Sequence, residues 1–130
     1  MLRRGRYPNA SDNFKTDKWI QELFDGWFDP CPYNPDWEID GLEIEWPNMP
    51  VFINPPYSNP TPFIQRAIEH PHTVVLLLKH DSSTRWFRLL HEAGAKFLLV
   101  SGRLKHQTGA AASFPSLLAV LSKDRHEGEE

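Results

Sequence analysis

Cysteine is nearly absent from this chain: Cys31 is the single one in 130 residues. An internal disulfide and a multi-cysteine zinc site are therefore excluded, and a reducing, cytoplasmic setting is expected. Long apolar runs are missing too. Runs such as residues 73–78 and 97–100 fall far short of the ~18 needed to span a membrane, so no membrane association is expected. The basic opening residues 1–6 lead into no apolar h-region, and no secretory signal is read. No Gly-x-Gly-x-x-Gly loop occurs, which disfavours a dinucleotide or P-loop nucleotide. The six histidines are scattered, with no His-x-x-x-His spacing or Cys/His pairing, so no metal site is expected.

What is present is unevenly distributed. The net charge is −3, against a protein that coats nucleic acid. Between residues 17 and 50 stand nine acidic side chains and one basic one, Lys18. Between residues 79 and 106 the balance reverses, with six Lys/Arg against Asp81 and Glu92. One half suits a cationic ligand and the other a polyanion. For any one of these residues, ordinary surface solvation is the simpler reading.

Periodicity predicts one α/β domain over residues 1–130, with loose ends at 1–13 and 123–130. A helix is expected over 16–24, with Trp19, Ile20, Leu23 and Phe24 on one face and Gly26 stopping it. Trp27-Phe28-Asp29 reads as a short strand ending on a carboxylate. Residues 30–50 carry five prolines and read as an irregular connection. Residues 51–53 form a second strand, cut off by two prolines. Asn59-Pro60 is expected to open a helix that ends near His70-Pro71. Residues 73–78 form a strand buried on both faces. Ser82 or Ser83 is expected to cap a helix reaching Gly94, and residues 96–100 and 116–121 complete the sheet. The sheet should be mostly parallel, with the last strand antiparallel at its edge.

The strongest local signal is Asn54-Pro55-Pro56-Tyr57 directly after a strand. Two prolines fix two φ angles and make the loop a stiff bracket at a strand's carboxyl end, where open α/β sheets bind ligands. The Asn54 side-chain oxygen and the Pro55 carbonyl are both acceptors, matched to the two donors of an amino group. Tyr57 offers a flat face for stacking a planar substrate. The competing reading is an ordinary proline turn in a chain with 12 prolines, but the whole order of strand, tetrad and helix is much rarer by chance. A second signal is Asp29, an acidic residue at the end of an early strand, where it can bind the amino-acid part of a cofactor. A turn-capping role is equally compatible with it.

Together these residues carry a resemblance. Asp29-Pro30-Cys31, Asp40-Gly41-Leu42, Trp46 and residues 51–58 come first. Phe63-Ile64, the strand at 74–78, Gly102-Arg103-Leu104 and Ala112-Ser113-Phe114-Pro115-Ser116 follow, in an order similar to the phage-type DNA N6-adenine methyltransferase family. The likeness spans roughly residues 16–121. It implies a minimal Rossmann-like methyltransferase fold, S-adenosylmethionine as cofactor and the N6 of adenine in DNA as target. Asn54, Pro55, Pro56 and Tyr57 match the family's catalytic motif. Thr16, Asp29, Pro30, Cys31, Asp40 and Asn54 are the implied cofactor-binding residues. Two positions depart from the pattern: Pro32 replaces the usual alanine, and Thr16-Asp17 stands for a threonine-proline pair.

A sulfonium methyl is already activated, so the expected task is alignment for in-line displacement, without a metal. A stacked adenine must first be flipped out, at a cost of roughly a few kcal/mol. Arg85, Arg88, Arg103 and Lys105 are candidates for contacts to DNA phosphate. No separate recognition domain is evident, so a homodimer or a partner subunit is the expected source of any longer sequence specificity. The alternatives are a methyltransferase acting on protein glutamine or an RNA base, and a catalytically inactive DNA-binding relative.

Overall fold

The computed structural model describes residues 16–31, 40–56, 58–100 and 115–123. Three helices and four strands follow in the order α1 (Lys18–Leu23), β1 (Val51–Ile53), α2 (Thr61–Glu69), β2 (Val74–Lys79), α3 (Arg85–Glu92), β3 (Lys96–Leu99) and β4 (Ser116–Leu121). Each element type matches the periodicity read from the chain. None of the described helices is long and apolar enough to cross a membrane.

The strands form one mixed sheet in the order β1-β2-β4-β3. β1 and β2 are parallel, and β4 runs antiparallel to both β2 and β3. β1, β2 and β3 thus point the same way. The expected antiparallel last strand is present, but not at the edge: it is inserted between β2 and β3, leaving β3 outermost. Its burial explains the position. Leu117, Leu118, Ala119 and Leu121 are all buried, whereas Leu98 and Leu99 of β3 are 57% and 67% exposed. Strand 27–29 is reduced to a single parallel bridge, Phe28 to Val51, with Phe52 N–H donating to the Phe28 carbonyl at 2.9 Å.

Alternation along the strands divides the core into two faces. Val51, Ile53, Val74, Leu76, Leu78, Leu117, Ala119 and Leu121 face Phe63, Ile64 and Ala67 of α2 and Leu90 of α3. Phe52, Val75, Leu77 and Leu118 face the opposite way, onto Ile20 of α1. Each such large side chain contributes roughly 1.5–3 kcal/mol relative to leaving it exposed. The expected apolar face of α1 is only half used: Ile20 is buried, while Trp19 and Leu23 are 47% and 61% exposed.

Helix ends correct two expectations. The residue preceding α2 is Pro60, not Asn59, and it makes no side-chain cap. α3 is capped by Thr84 rather than Ser82 or Ser83, its hydroxyl accepting from Phe87 N–H at 3.2 Å. Ser83 instead donates to Asp81 from both backbone and hydroxyl, at 3.1 and 2.5 Å. Those two donors hold the Asp81 carboxyl below the usual range. Gly26 and Gly94 end α1 and α3 at φ +87° and +85°, where a side chain would be strained. At the other end of α2, Lys123 Nζ donates to the carbonyls of Ala67, Ile68 and His70 at 2.9, 3.3 and 2.6 Å. It satisfies carbonyls the helix leaves open and ties the end of β4 to α2. Burial pushes its ammonium below the ordinary lysine range.

Candidate active site

Parallel pairing of Phe28 with β1, and of β1 with β2, sends three chain segments out on one side of the sheet. Asp29 leaves there, Asn54 leaves beside it, and Lys79-His80-Asp81 leaves from β2. The loop between β3 and β4 has both anchors on this side: Val100 N–H donates to the Ser116 carbonyl at 3.1 Å, and His80 N–H to the Pro115 carbonyl at 2.9 Å. This is the carboxyl edge, where a ligand is expected in an open α/β sheet.

Asn54 is half-buried, and its Nδ2 donates to the Thr16 hydroxyl at 3.0 Å. Its Oδ1 accepts no hydrogen bond from a described residue. Pro55 and Pro56 are buried, and Asn59 N–H closes the turn onto the Pro56 carbonyl at 3.3 Å. Thr16 is itself buried and lines a cavity of about 160 Å³ with Gln21, Phe24, Asp25, Gly26, Trp27, Asp29 and Phe52. Phe24 stacks on Phe52 at 4.7 Å and meets Trp27 edge-on at 5.0 Å, giving the cavity an aromatic wall.

Asp29 supplies the charge. Burial pushes its carboxyl up to about 6, opposed by a hydrogen bond of 2.8 Å from Cys31 N–H. A carboxylate desolvated in this way favours a cationic partner. Asp25, on the rim of the same cavity, adds a second acidic group.

Pro30, Cys31 and Asp40 are placed differently. Cys31 is buried, its side chain in the core beneath α2. Asp40 is fully buried, accepts from Leu42 N–H at 3.0 Å, and is not among the residues that line the cavity. Pro30 meets Gly41 so closely that a Cβ on Gly41 would lie 1.8 Å from the Pro30 carbonyl oxygen. The two motifs Asp29-Pro30-Cys31 and Asp40-Gly41-Leu42 are therefore one packed unit. Arg66 and Trp46 brace it. Trp46 Nε1 donates to the Gly41 carbonyl at 2.9 Å, and Arg66 donates to Leu42 and Ile44 at 2.9 and 2.6 Å while lying 4.7 Å over the Trp46 ring.

Of the residues expected at the site, Thr16 and Asp29 line one cavity, and Asn54 is joined to it through its hydrogen bond to Thr16. Sequence reasoning missed Gln21, Phe24, Asp25, Trp27 and Phe52 as cavity walls. Only their nearness to Asp29 in the chain could have signalled the first four. It also missed Arg66, whose helical position resembles any surface arginine. Arg85 and Arg88 are exposed on α3. Tyr57, Arg103 and Lys105 lie outside the described residues.

Comparison with known proteins places these observations. Residues 31–116 match the family described as DNA N-6-adenine-methyltransferase (Dam). A DNA N-6-adenine-methyltransferase of Haemophilus phage HP1 is 48% identical over 54 residues, covering 38% of this chain and 31% of that protein. One of Escherichia phage T1 is 37% identical over 71 residues, covering 52% of this chain and 30% of that protein. The chain thus spans about a third of the length of the curated relatives it matches. Among solved structures, one from Pyrococcus horikoshii described as an RNA methyltransferase aligns with TM-score 0.47 and 18% identity. It covers 62% of this chain and 46% of the other. The fold stands on the topology above rather than on that likeness.

Proposed function

Since the chain belongs to the DNA N-6-adenine-methyltransferase family, we propose that it transfers a methyl group from S-adenosylmethionine to the N6 of adenine in DNA. The observation that carries this reading is the Asn54–Thr16 hydrogen bond. It ties a side-chain amide, whose oxygen accepts from no described residue, to Thr16 in the wall of an acidic cavity that also contains Asp29.

The residues present fit the cofactor's charged end. A cavity of about 160 Å³ is smaller than the ~300–1,000 Å³ of pockets that enclose a whole ligand, so it takes the amino-acid portion. Asp29 would hold the ammonium, with Asp25 adding to the field that favours a cation. The bound cofactor supplies an activated methyl group. Asn54 Oδ1 and the Pro55 carbonyl accept from the amino group of a flipped adenine and turn its lone pair toward that methyl. The two prolines keep the acceptors in place, so little motion remains to be frozen at the moment of reaction. Tyr57 would stack on the base. Arg85, Arg88, Arg103 and Lys105 would meet phosphates, and a homodimer or partner subunit would extend recognition.

Transfer of radiolabelled methyl to unmethylated DNA, with RNA and protein as parallel acceptors, tests the reading. Label recovered as N6-methyladenine in DNA is expected; label confined to protein or RNA would sink it.

Asp29 has opposite effects on binding and stability. The folded protein retains its proton up to about pH 6, whereas the unfolded chain releases it near 3.8. Its contribution to apo stability is therefore greatest at low pH and falls as pH rises through that window. Asp29→Asn keeps the acceptor for Cys31 N–H and never ionises. At pH 8 the apo variant should be more stable than wild type by about 1–3 kcal/mol, with the gain vanishing near pH 4. Its affinity for S-adenosylmethionine should drop at least about tenfold, as for a lost charge-assisted hydrogen bond. Thermal unfolding at the two pH values and calorimetry with the cofactor check both halves.

A further inference from the structure

Thr16 belongs to the wall of the cofactor cavity, yet its hydroxyl is engaged by the catalytic loop. We infer that Thr16 is a positioning residue that orients the Asn54 amide, holding Nδ2 inward so that Oδ1 is presented to the amino group being methylated. The inference rests on the methyl-transfer reading for its kinetic consequence, but not for its geometry.

An asparagine amide can turn over about its last side-chain bond, and the two orientations differ in function. With Oδ1 outward the side chain accepts from an amino group. With Nδ2 outward it offers donors to donors and repels the same substrate. Asn54 stands at the end of a strand and only half-buried, so packing alone leaves both orientations open. A threonine hydroxyl can accept or donate, and in the structure Thr16 accepts, which turns Nδ2 inward. Its buried hydroxyl accepts from Nδ2 at 3.0 Å across 38 residues of sequence. Neither partner can drift. Asn54 is followed by two buried prolines, and Thr16 immediately precedes the turn in which the Asp17 carbonyl accepts from Ile20 and Gln21 N–H at 3.1 and 3.0 Å. Ile20, fully buried against Phe52, Val75 and Leu77, anchors that turn to the sheet. The docking of α1 is thereby translated into the facing of one amide at the end of β1.

Because Thr16 also walls the cavity, loss of a cofactor contact must be separated from loss of orientation. Thr16→Val keeps the shape and removes the acceptor; Thr16→Ser keeps the acceptor. In ¹⁵N-resolved NMR spectra of the apo protein, the Asn54 side-chain amide is identified by its disappearance in Asn54→Ala. One of its protons should be shifted downfield and slow to exchange in wild type and Thr16→Ser, but not in Thr16→Val. Identical signals in wild type and Thr16→Val would overturn the inference whether or not the protein methylates DNA. In methyl transfer, Thr16→Val should lower kcat roughly five- to tenfold, the worth of one hydrogen bond. Any loss of cofactor affinity should be smaller than the loss in kcat, Thr16→Ser should restore the rate, and adding Thr16→Val to Asn54→Ala should lower kcat no further. A change in cofactor Kd alone, with kcat intact, would make Thr16 a cofactor contact and overturn the positioning role. Wild-type protein that shows the NMR signature but transfers no methyl to DNA would instead remove the functional reading and leave the geometry standing.

Discussion

Asn54→Ala should reduce methyl transfer by about 10²–10³-fold while cofactor binding largely survives, a loss comparable to deleting one preorganised hydrogen-bonding group from an active site. The amino nitrogen of adenine is a poor nucleophile because its lone pair is delocalised into the ring. An acceptor placed on its protons draws the lone pair back onto nitrogen, and a fixed acceptor also aims it. Asn54 would do both, being held by Thr16 on one side and by Pro55-Pro56 on the other. Alanine removes the acceptor and leaves the backbone bracket, so some activity should persist through the Pro55 carbonyl. Asn54→Asp retains acceptor oxygens and should lose less. Single-turnover transfer alongside cofactor calorimetry decides the matter. Equal rates for wild type and Asn54→Ala would remove Asn54 from the chemistry, and a parallel collapse of cofactor binding would recast it as a cofactor residue.

Gly41→Ala should be among the most damaging single substitutions in the fold, although one methyl group is all that is added. The new Cβ would lie 1.8 Å from the Pro30 carbonyl oxygen, 2.7 Å from its carbon and 3.1 Å from Phe63 Cε1. The obstructing atoms of Pro30 are backbone, so no side-chain rotation relieves the clash. Moving the Gly41 segment away would stretch the hydrogen bond of 2.9 Å from Trp46 and loosen the carbonyls held by Arg66. Moving Pro30 instead would displace Asp29 from the cavity. We expect destabilisation at or beyond the top of the ~1–3 kcal/mol range for overpacking, a large part of the 5–15 kcal/mol typical of a domain. Whatever protein remains folded should bind cofactor poorly. Gly26→Ala is the informative control: nothing lies within 4 Å of its Cβ, so only the strain of φ +87° is felt, a cost of roughly 1–2 kcal/mol. Denaturant midpoints of the two variants side by side provide the check. A Gly41→Ala midpoint equal to wild type would show that Asp29-Pro30-Cys31 and Asp40-Gly41-Leu42 are not locked together.

Asp29 completes the picture from the energetic side. Its carboxyl is held near 6 by burial, so the apo protein retains an unfavourable charge at neutral pH that a cationic ligand would relieve.

Local chemistry made much of this legible in one dimension. A tetrad with two prolines after Val51–Ile53 can only be a stiff loop at a strand end. Five consecutive buried side chains in Val74–Lys79 announce a central strand. The strand-end positions of Asp29 and Asn54 follow from the same periodicities, because strand length and proline geometry are properties of neighbouring residues. Family membership was legible for a similar reason, since the ordered motifs are short and contiguous. What the tertiary structure alone decided is non-local. β4 lies between β2 and β3 because its residues bury both faces, a preference that no window of Leu and Ala expresses. Gly41 is required by a carbonyl eleven positions earlier, and Arg66 by carbonyls more than twenty positions away. The cavity belongs to both classes. Asp29 could be named from its strand end, but the rings of Phe24 and Phe52 that wall it meet only when α1 docks on the sheet. The bond between Thr16 and Asn54, separated by 38 residues, is the sharpest case: each could be named from the sequence, and only folding brings the two side chains together.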